Sequence, residues 1–164
     1  FMSIIIKVDS KGPILFWSNR IGKNNKLFSM PKFRTMHINT PLIETNKLLN
    51  DKKYVTRIGN FLRKTSLDEL PQLWSILKGD MSIVGPRPAL FNQYDLIHHR
   101  TINKVHLLTP GITGWAQVNG RDFISIKEKS DLDKFYLEKK SFIFDLRIIV
   151  LTLFKLFKRS DIKH

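Results

Sequence analysis

Cysteine is absent from the 164 residues, which excludes disulfides and thiolate metal sites and removes any redox clue to the compartment. The five histidines, His37, His98, His99, His106 and His164, show none of the spacings used for zinc ligation. They read as ordinary surface or core residues. Long hydrophobic runs are missing at the start as well. The opening Phe1-Met2-Ser3-Ile4-Ile5-Ile6 meets Lys7 and Asp9, far short of the roughly 20 apolar residues that span a bilayer, and it lacks the basic region of a signal peptide. Two readings fit this run: the tail end of a longer hydrophobic segment upstream, or a first core strand. Acidic side chains are scarce, with 14 Asp and Glu against 28 Lys and Arg and a formal net charge of +14. A polyanion is therefore the expected neighbour, whether nucleic acid, acidic lipid or phosphorylated substrate. Charge alone does not choose among them.

What is present suffices for a core. An apolar share of 42% with 11% aromatic excludes a largely disordered chain, and the length suits one domain over residues 1–164. Ile14-Leu15-Phe16-Trp17 and Leu27-Phe28 through Phe33-Arg34 flank an Asn/Gly/Lys turn, which predicts a β-hairpin. Residues 39–53 carry no clear motif and read as a variable loop with a short helical candidate near Leu42 to Leu49. Ile58, Phe61 and Leu62 have helical spacing after Thr56, and a second helix is expected from Ser66 to a stop at Gly79. Pro86-Arg87-Pro88 cannot be regular helix, because each proline restricts the residue before it. Residues 89–107 suggest a further helix, Gly111 to Arg121 a glycine-punctuated loop or short strand, and residues from about Ser125 to Arg159 a helical region broken near Ser141. The fold class is α+β, with more helix than strand.

Chemistry concentrates in Arg63-Lys64-Thr65-Ser66-Leu67-Asp68-Glu69-Leu70-Pro71-Gln72. Ser66 to Glu69 fits a capping box, and Asp68 would also serve as a cap with Pro71 in the first turn. The functional alternative has one carboxylate attack phosphorus while its neighbour holds a divalent cation, with Arg63 and Lys64 taking phosphate charge. Carboxylate and phosphate oxygens are the hard ligands that Mg²⁺ prefers. Arg34, Arg87 and Arg121 offer planar forks for phosphate oxygens, and Arg87 is held rigid between prolines.

These pieces occur together and in a familiar order. Lys32-Phe33-Arg34-Thr35-Met36, Ser66 to Trp74, Leu77-Lys78-Gly79-Asp80-Met81-Ser82, Val84-Gly85-Pro86-Arg87-Pro88 and Pro110 to Arg121 resemble the bacterial sugar transferases, the monotopic polyprenyl-phosphate phosphoglycosyl transferases. The likeness runs from Gly12-Pro13 to the closing apolar helix. It implies a compact, helix-rich catalytic domain with interfacial amphipathic helices, acting at the cytoplasmic face of the bacterial inner membrane. It also implies a two-step exchange: an Asp attacks the β-phosphate of a UDP-sugar, UMP leaves, and undecaprenyl phosphate collects the phospho-sugar. Carried onto this sequence, Asp68 is the nucleophile, Glu69 the Mg²⁺ ligand, and Lys32, Arg34, Arg63, Arg87 and Arg121 are the phosphate and nucleotide contacts.

The sequence departs from that pattern in places. The re-entrant hydrophobic helix usual ahead of this segment is represented at most by Phe1 to Ile6, so an inactive truncated remnant is one alternative. Ser18 stands where Gln is common, and Pro31 where an aromatic or Lys is common. The near-continuous apolar run from Phe142 to Phe157, with Asp145, Arg147 and Lys155 in it, cannot span a bilayer. It reads as a basic amphipathic helix lying on an anionic membrane surface, or as a buried helix of the core. A nucleic-acid-binding module is the rival from another class, but no zinc-finger, helix-turn-helix or RNP-like pattern supports it.

Overall fold

The segment between the two apolar runs turns the chain back on itself. Strands β1 (Leu15–Ile21) and β2 (Leu27–Phe33) pair antiparallel, from Leu15 opposite Phe33 to Ile21 opposite Leu27. The 3-10 turn Lys23–Asn25 between them places Asn24 and Asn25 at φ 55° and 57°, a left-handed conformation that Asn tolerates better than most residues. The hairpin is as expected. In this computed structural model, which describes residues 2–41, 53–120 and 124–158, the helical candidate near Leu42 to Leu49 and Arg121 lie outside the described residues.

The opening run is helical rather than a strand: α1 spans Met2–Asp9, with Ile6 buried and Ile4 and Val8 exposed. Its Asp9 carboxylate accepts the backbone N–H of Ile58 at 3.1 Å, which ties α1 to the first turn of α2 (Arg57–Thr65). Thr56 caps α2 by accepting from the Gly59 N–H at 2.9 Å. Gly59 has a packing reason to be glycine, since a Cβ there would lie 2.0 Å from the Thr35 carbonyl oxygen. This close approach lays α2 against the end of β2.

The helix expected from Ser66 to Gly79 is divided. A 3-10 helix, Leu67–Gln72, comes first and contains Pro71, then a short α3, Leu73–Leu77, follows. Proline explains the division, because it supplies no N–H to the turn and disfavours α geometry before it. Gly79, at φ 81°, ends the segment. The helix suggested for residues 89–107 is shorter than its apolar pattern. After β3 (Ser82–Val84), residues Ala89–Leu90 form β4 on the free edge of β1, giving the order β2-β1-β4. Only α4 (Tyr94–Ile102) is then α-helical. β5 (Gly111–Thr113) pairs parallel with β3, and α5 (Trp115–Val118) is a single turn.

The C-terminal region breaks at Ser141, as the pattern indicates. α6 (Ile126–Lys139) opens with a capping box in which Ser125 and Glu128 each bond the other's backbone. α7 spans Phe142–Lys158. A core of Val84, Val118, Tyr136 and Ile148 is packed by Trp115, Phe144 and Leu151. Phe144, Ile148 and Leu151 interrupt the polar side of α7 in the sequence pattern, and they are its core contacts. Thr152 on that inner side shares a 2.6 Å hydrogen bond with Thr113. The other face is apolar too, and it is open: Phe142, Ile143 and Phe154 are 77%, 79% and 68% exposed. The helix is therefore both a core element and an unpartnered apolar surface. Among the described residues, no helix is long and apolar enough to cross a membrane.

Candidate active site

The Pro86-Arg87-Pro88 loop is rigid for reasons beyond its prolines. Each of its three carbonyls is held from a different direction. The Gly111 N–H donates to Pro86 O at 3.0 Å, Arg100 Nη1 donates to Arg87 O at 2.7 Å, and Arg20 Nη1 donates to Pro88 O at 3.2 Å. Arg100 is fixed in turn by Asp133, whose Oδ2 accepts from Nε at 2.9 Å and Nη2 at 2.6 Å. That ion pair, between α4 and α6, is almost wholly buried. A backbone clamped at successive residues leaves the Arg87 side chain few places to go.

It goes to Glu69. Arg87 Nη2 donates to Glu69 Oε1 at 2.5 Å and Nη1 to Oε2 at 3.4 Å, while Lys32 Nζ reaches Oε1 at 3.1 Å. The capping box anticipated for Ser66 and Glu69 is accordingly not formed. Ser66 is left-handed (φ 56°), makes no side-chain cap bond, and joins α2 directly to the 3-10 helix. Nor is Asp68 a cap, since it lies inside the 3-10 helix. Two cationic donors hold the Glu69 carboxylate where a capping box would offer it a single neutral backbone N–H.

Asp68 stands in the same field. Burial pushes its carboxyl above the usual carboxylate value, Lys32 pulls it down, Glu69 pushes it up, and Arg87 and Arg63 pull it down. Burial likewise lowers the Lys32 ammonium, Glu69 raises it, and Arg87 and Arg20 oppose its charge. Arg20 is lowered to about 10 by burial and then by Arg87. The cluster thus holds two carboxylates and several cations under partial desolvation, an arrangement that favours an added anion.

Of the residues singled out in the sequence, Lys32, Arg63, Asp68, Glu69 and Arg87 come together. Arg34 does not join them: it is buried, and its Nη1 and Nη2 donate to Lys11 O at 2.8 Å, Ser10 O at 2.6 Å and Ser10 Oγ at 2.9 Å. There it secures the turn after α1. Arg63 also supports β2, with Nε donating to Thr35 Oγ1 at 3.1 Å.

The family model for bacterial sugar transferases matches residues 1–159. This chain belongs to that family. A Bacillus subtilis (strain 168) protein named as the uncharacterized sugar transferase EpsL is 40% identical over 164 residues, taking in 100% of this sugar transferase and 80% of that protein. The UDP-glucose:undecaprenyl-phosphate glucose-1-phosphate transferase of Escherichia coli (strain K12) is 42% identical over 164 residues, covering 94% of this chain and 35% of its own. The UDP-N-acetylgalactosamine-undecaprenyl-phosphate N-acetylgalactosaminephosphotransferase of Aeromonas hydrophila is 36% identical over 157 residues, with 92% and 37% covered. The sugar transferase thus spans most of the Bacillus protein and little more than a third of the other two.

Three residues of its site went unnoticed in the sequence: Arg20, Arg100 and Asp133. Arg20 sits in an ordinary alternating strand, and Arg100 and Asp133 occupy helices whose polar residues look solvated. Only the fold, which brings α4 beside α6 and β4 beside β1, gives them their partners.

Proposed function

We propose that this chain transfers a phospho-sugar from a UDP-sugar to a polyprenyl phosphate, as a first membrane step in assembling a bacterial surface polysaccharide or glycoconjugate. The observation that carries this is the half-buried Asp68 beside a Glu69 gripped by Lys32 and Arg87. Family membership and the names of the relatives support the substrate class. An oxygen of the Asp68 carboxylate bonds to the β-phosphorus of the UDP-sugar. The bond from that phosphorus to the bridging oxygen breaks, and UMP departs with the electron pair. An oxygen of polyprenyl phosphate then bonds to the phosphorus, and Asp68 is released as a carboxylate. The residues do what phosphoryl transfer needs, which is alignment and neutralisation of spreading negative charge. Lys32 and Arg87 turn part of their charge from Glu69 to the donor's phosphates, Arg63 assists at Asp68, and Arg121, outside the described residues, keeps the nucleotide-contact role that the resemblance implies.

Mg²⁺ is the metal this reading implies, and Glu69 would be open to it once Lys32 and Arg87 turn to the donor's phosphates. It is commonly held by one or two carboxylates together with substrate phosphates rather than by an all-protein cage, and no group of three metal-ligating side chains occurs among the described residues. Glu69, next to Asp68, would hold it, and the ion would polarise phosphoryl oxygens and offset their charge. The outer face of α7, with Phe142, Ile143 and Phe154 exposed, and the net charge of +14 favour seating on an anionic membrane surface, in bacteria the cytoplasmic face of the inner membrane.

The test follows a UDP-sugar labelled in its β-phosphate. The wild-type chain should release UMP and retain label on protein until polyprenyl phosphate is added, and Asp68→Asn should do neither. EDTA should suppress both. Label retained by the Asn variant would remove Asp68 from the role of nucleophile, and undiminished turnover in EDTA would remove the metal.

A further inference from the structure

A small cavity lies against the Pro-Arg-Pro loop, and the phosphoryl-transfer chemistry has no use for it. Its volume is about 30 Å³, and its walls include Pro86, Arg87, Pro88, Ile97, Arg100 and His106. A buried water needs roughly 10–15 Å³ of such space and two to four polar partners, so there is room for one or two waters and for no phosphate or sugar. His106 supplies the first partner. Its Nδ1 is buried and bonds to no protein atom among the described residues. Buried nitrogens left so are rare, because losing water without gaining a hydrogen bond is costly. The loop supplies the second. Arg100 lines the cavity and donates to Arg87 O at 2.7 Å, which puts that carbonyl at the cavity's edge, and a carbonyl oxygen can accept a second bond. The chain also takes trouble to hold His106 there. It sits in the 3-10 turn Val105–Leu107, whose Val105 is buried. Lys104, just before the turn, is at φ 59°, a left-handed conformation unfavourable for lysine. Asn103 Nδ2 donates to the Oγ of the fully buried Ser130 at 3.0 Å. Backbone strain of this kind persists only where the surroundings fix it, and it collects at the working parts of a fold.

We propose that the cavity is a water site and that His106, bonded through this water to the loop, is a positioning residue for Arg87. The chemical importance of Arg87 rests on the function inferred above, whereas the water site does not. The hydrogen bonds balance. The imidazole carries its proton on Nε2, the water donates one hydrogen to Nδ1 and the other to Arg87 O, and Arg100 remains the second donor to that carbonyl. Protein donors from Gly111, Arg20 and Arg100 then hold the loop's three carbonyls, and the water ties the middle one to a fourth part of the chain. A histidine present only for packing would not bury an unbonded nitrogen against a loop.

Two measurements on the full chain test this. A crystal structure of the wild type that shows ordered solvent should place a water within about 3.2 Å of both His106 Nδ1 and a carbonyl of residues 86–88. The second measurement is single-turnover release of UMP from a UDP-sugar by the wild type, His106→Phe and His106→Gln, with Tm recorded for each. Phe keeps a ring, crowds the cavity and has no polar atom, whereas Gln keeps a group that can bond the water. In His106→Phe the rate at saturating UDP-sugar should fall about fivefold, the factor carried by one net hydrogen bond. Its half-saturating concentration should stay near the wild-type value, because a displaced Arg87 is felt mainly as charge spreads in the transition state. His106→Gln should restore the rate. A role in stability alone would lower Tm in the Phe variant and leave the rate at saturation unchanged. A wild-type structure with no water at His106 Nδ1, a Phe variant as fast as the wild type, or a Gln variant as slow as the Phe variant would each overturn the proposal. Should His106→Phe fail to fold, the wild-type structure and the Gln variant still decide, since Gln must keep both the water and the rate. Absence of UMP release from the wild type would instead sink the transfer function, while the crystal structures would still judge the water site.

Discussion

Replacing Asp133 by Asn removes one charge from the buried pair and leaves its shape. The side chains of Arg100 and Asp133 are 9% and 1% exposed, so solvent does little to screen the guanidinium left behind. Breaking such a pair by deleting one partner costs about 3–5 kcal/mol, a large part of the roughly 5–15 kcal/mol that holds a domain folded. At about 2–4 °C per kcal/mol for a chain of this size, Tm should drop by roughly 6–20 °C. Activity should fall as well, because Arg100 also donates to the Arg87 carbonyl. The double variant Arg100→Met/Asp133→Leu separates the two effects. Exchanging a buried pair for apolar side chains is often neutral, so Tm should recover, yet the Arg87 carbonyl still lacks its donor. A displacement of about 1 Å in a charge-positioning residue costs on the order of a hundredfold in rate, and UMP release by the double variant should stay depressed by about that factor. Calorimetry and a single-turnover UMP assay measure both quantities. A double variant with wild-type rate would show that Arg87 does not depend on Arg100 for its position. An Asn variant with unchanged Tm would refute the energetic argument outright.

Three other consequences are open to measurement. If Asp68 is the nucleophile, as proposed, it must be ionised to attack, and because burial raises its carboxyl, kcat/KM should decline on the acid side at a higher pH than for an unperturbed aspartate. Lys32 draws Asp68 down, so Lys32→Met should move that limb to higher pH, and a limb that stays in place would remove the coupling. If the outer face of α7 enters a lipid surface, Ile143→Asp and Phe154→Asp should release the chain from vesicles containing acidic phospholipid. High salt should loosen the wild type only in part, as exposed charges are screened beyond about 10 Å at 0.1 M while apolar contact is not; undiminished binding by both variants would assign that face another role. Ser66→Gly should be neutral or stabilising by up to about 1 kcal/mol, because glycine adopts the left-handed conformation at no steric cost. A helix-capping Ser would lose stability on the same change, so denaturant titration distinguishes the two.

What could be read from the sequence was what neighbouring residues decide among themselves. The hairpin follows from two apolar runs and an Asn-rich turn, the helical region starting near Ser125 from its apolar pattern, and the stiffness of residues 86–88 from two prolines. The carboxylate pair stood out too, as a candidate site, from its setting among Arg63, Lys64 and the helix start. Its geometry was not. Ser66 and Glu69 have the spacing of a capping box, but Lys32 and Arg87, 37 and 18 residues away in sequence, hold the Glu69 carboxylate more strongly than a local N–H would. The same long-range competition separates Lys32 from Arg34. Lys32 is inside β2 and faces the 3-10 helix, whereas Arg34 lies just past the strand's last residue, where its backbone N–H bonds to Ile14 O at 2.9 Å and its side chain turns toward the end of α1. A Lys-Phe-Arg motif thus contains one cation for the site and one for the scaffold, and the strand end between them decides which is which. The Pro-Arg-Pro loop repeats that logic at larger scale: its rigidity is written in its own three residues, but its direction comes from Arg20, Arg100 and Gly111, which the fold alone brings to it. A substitution at any of those three should therefore reach the chemistry through Arg87, even though neither Arg20 nor Arg100 carries a residue type or spacing that marks it as functional.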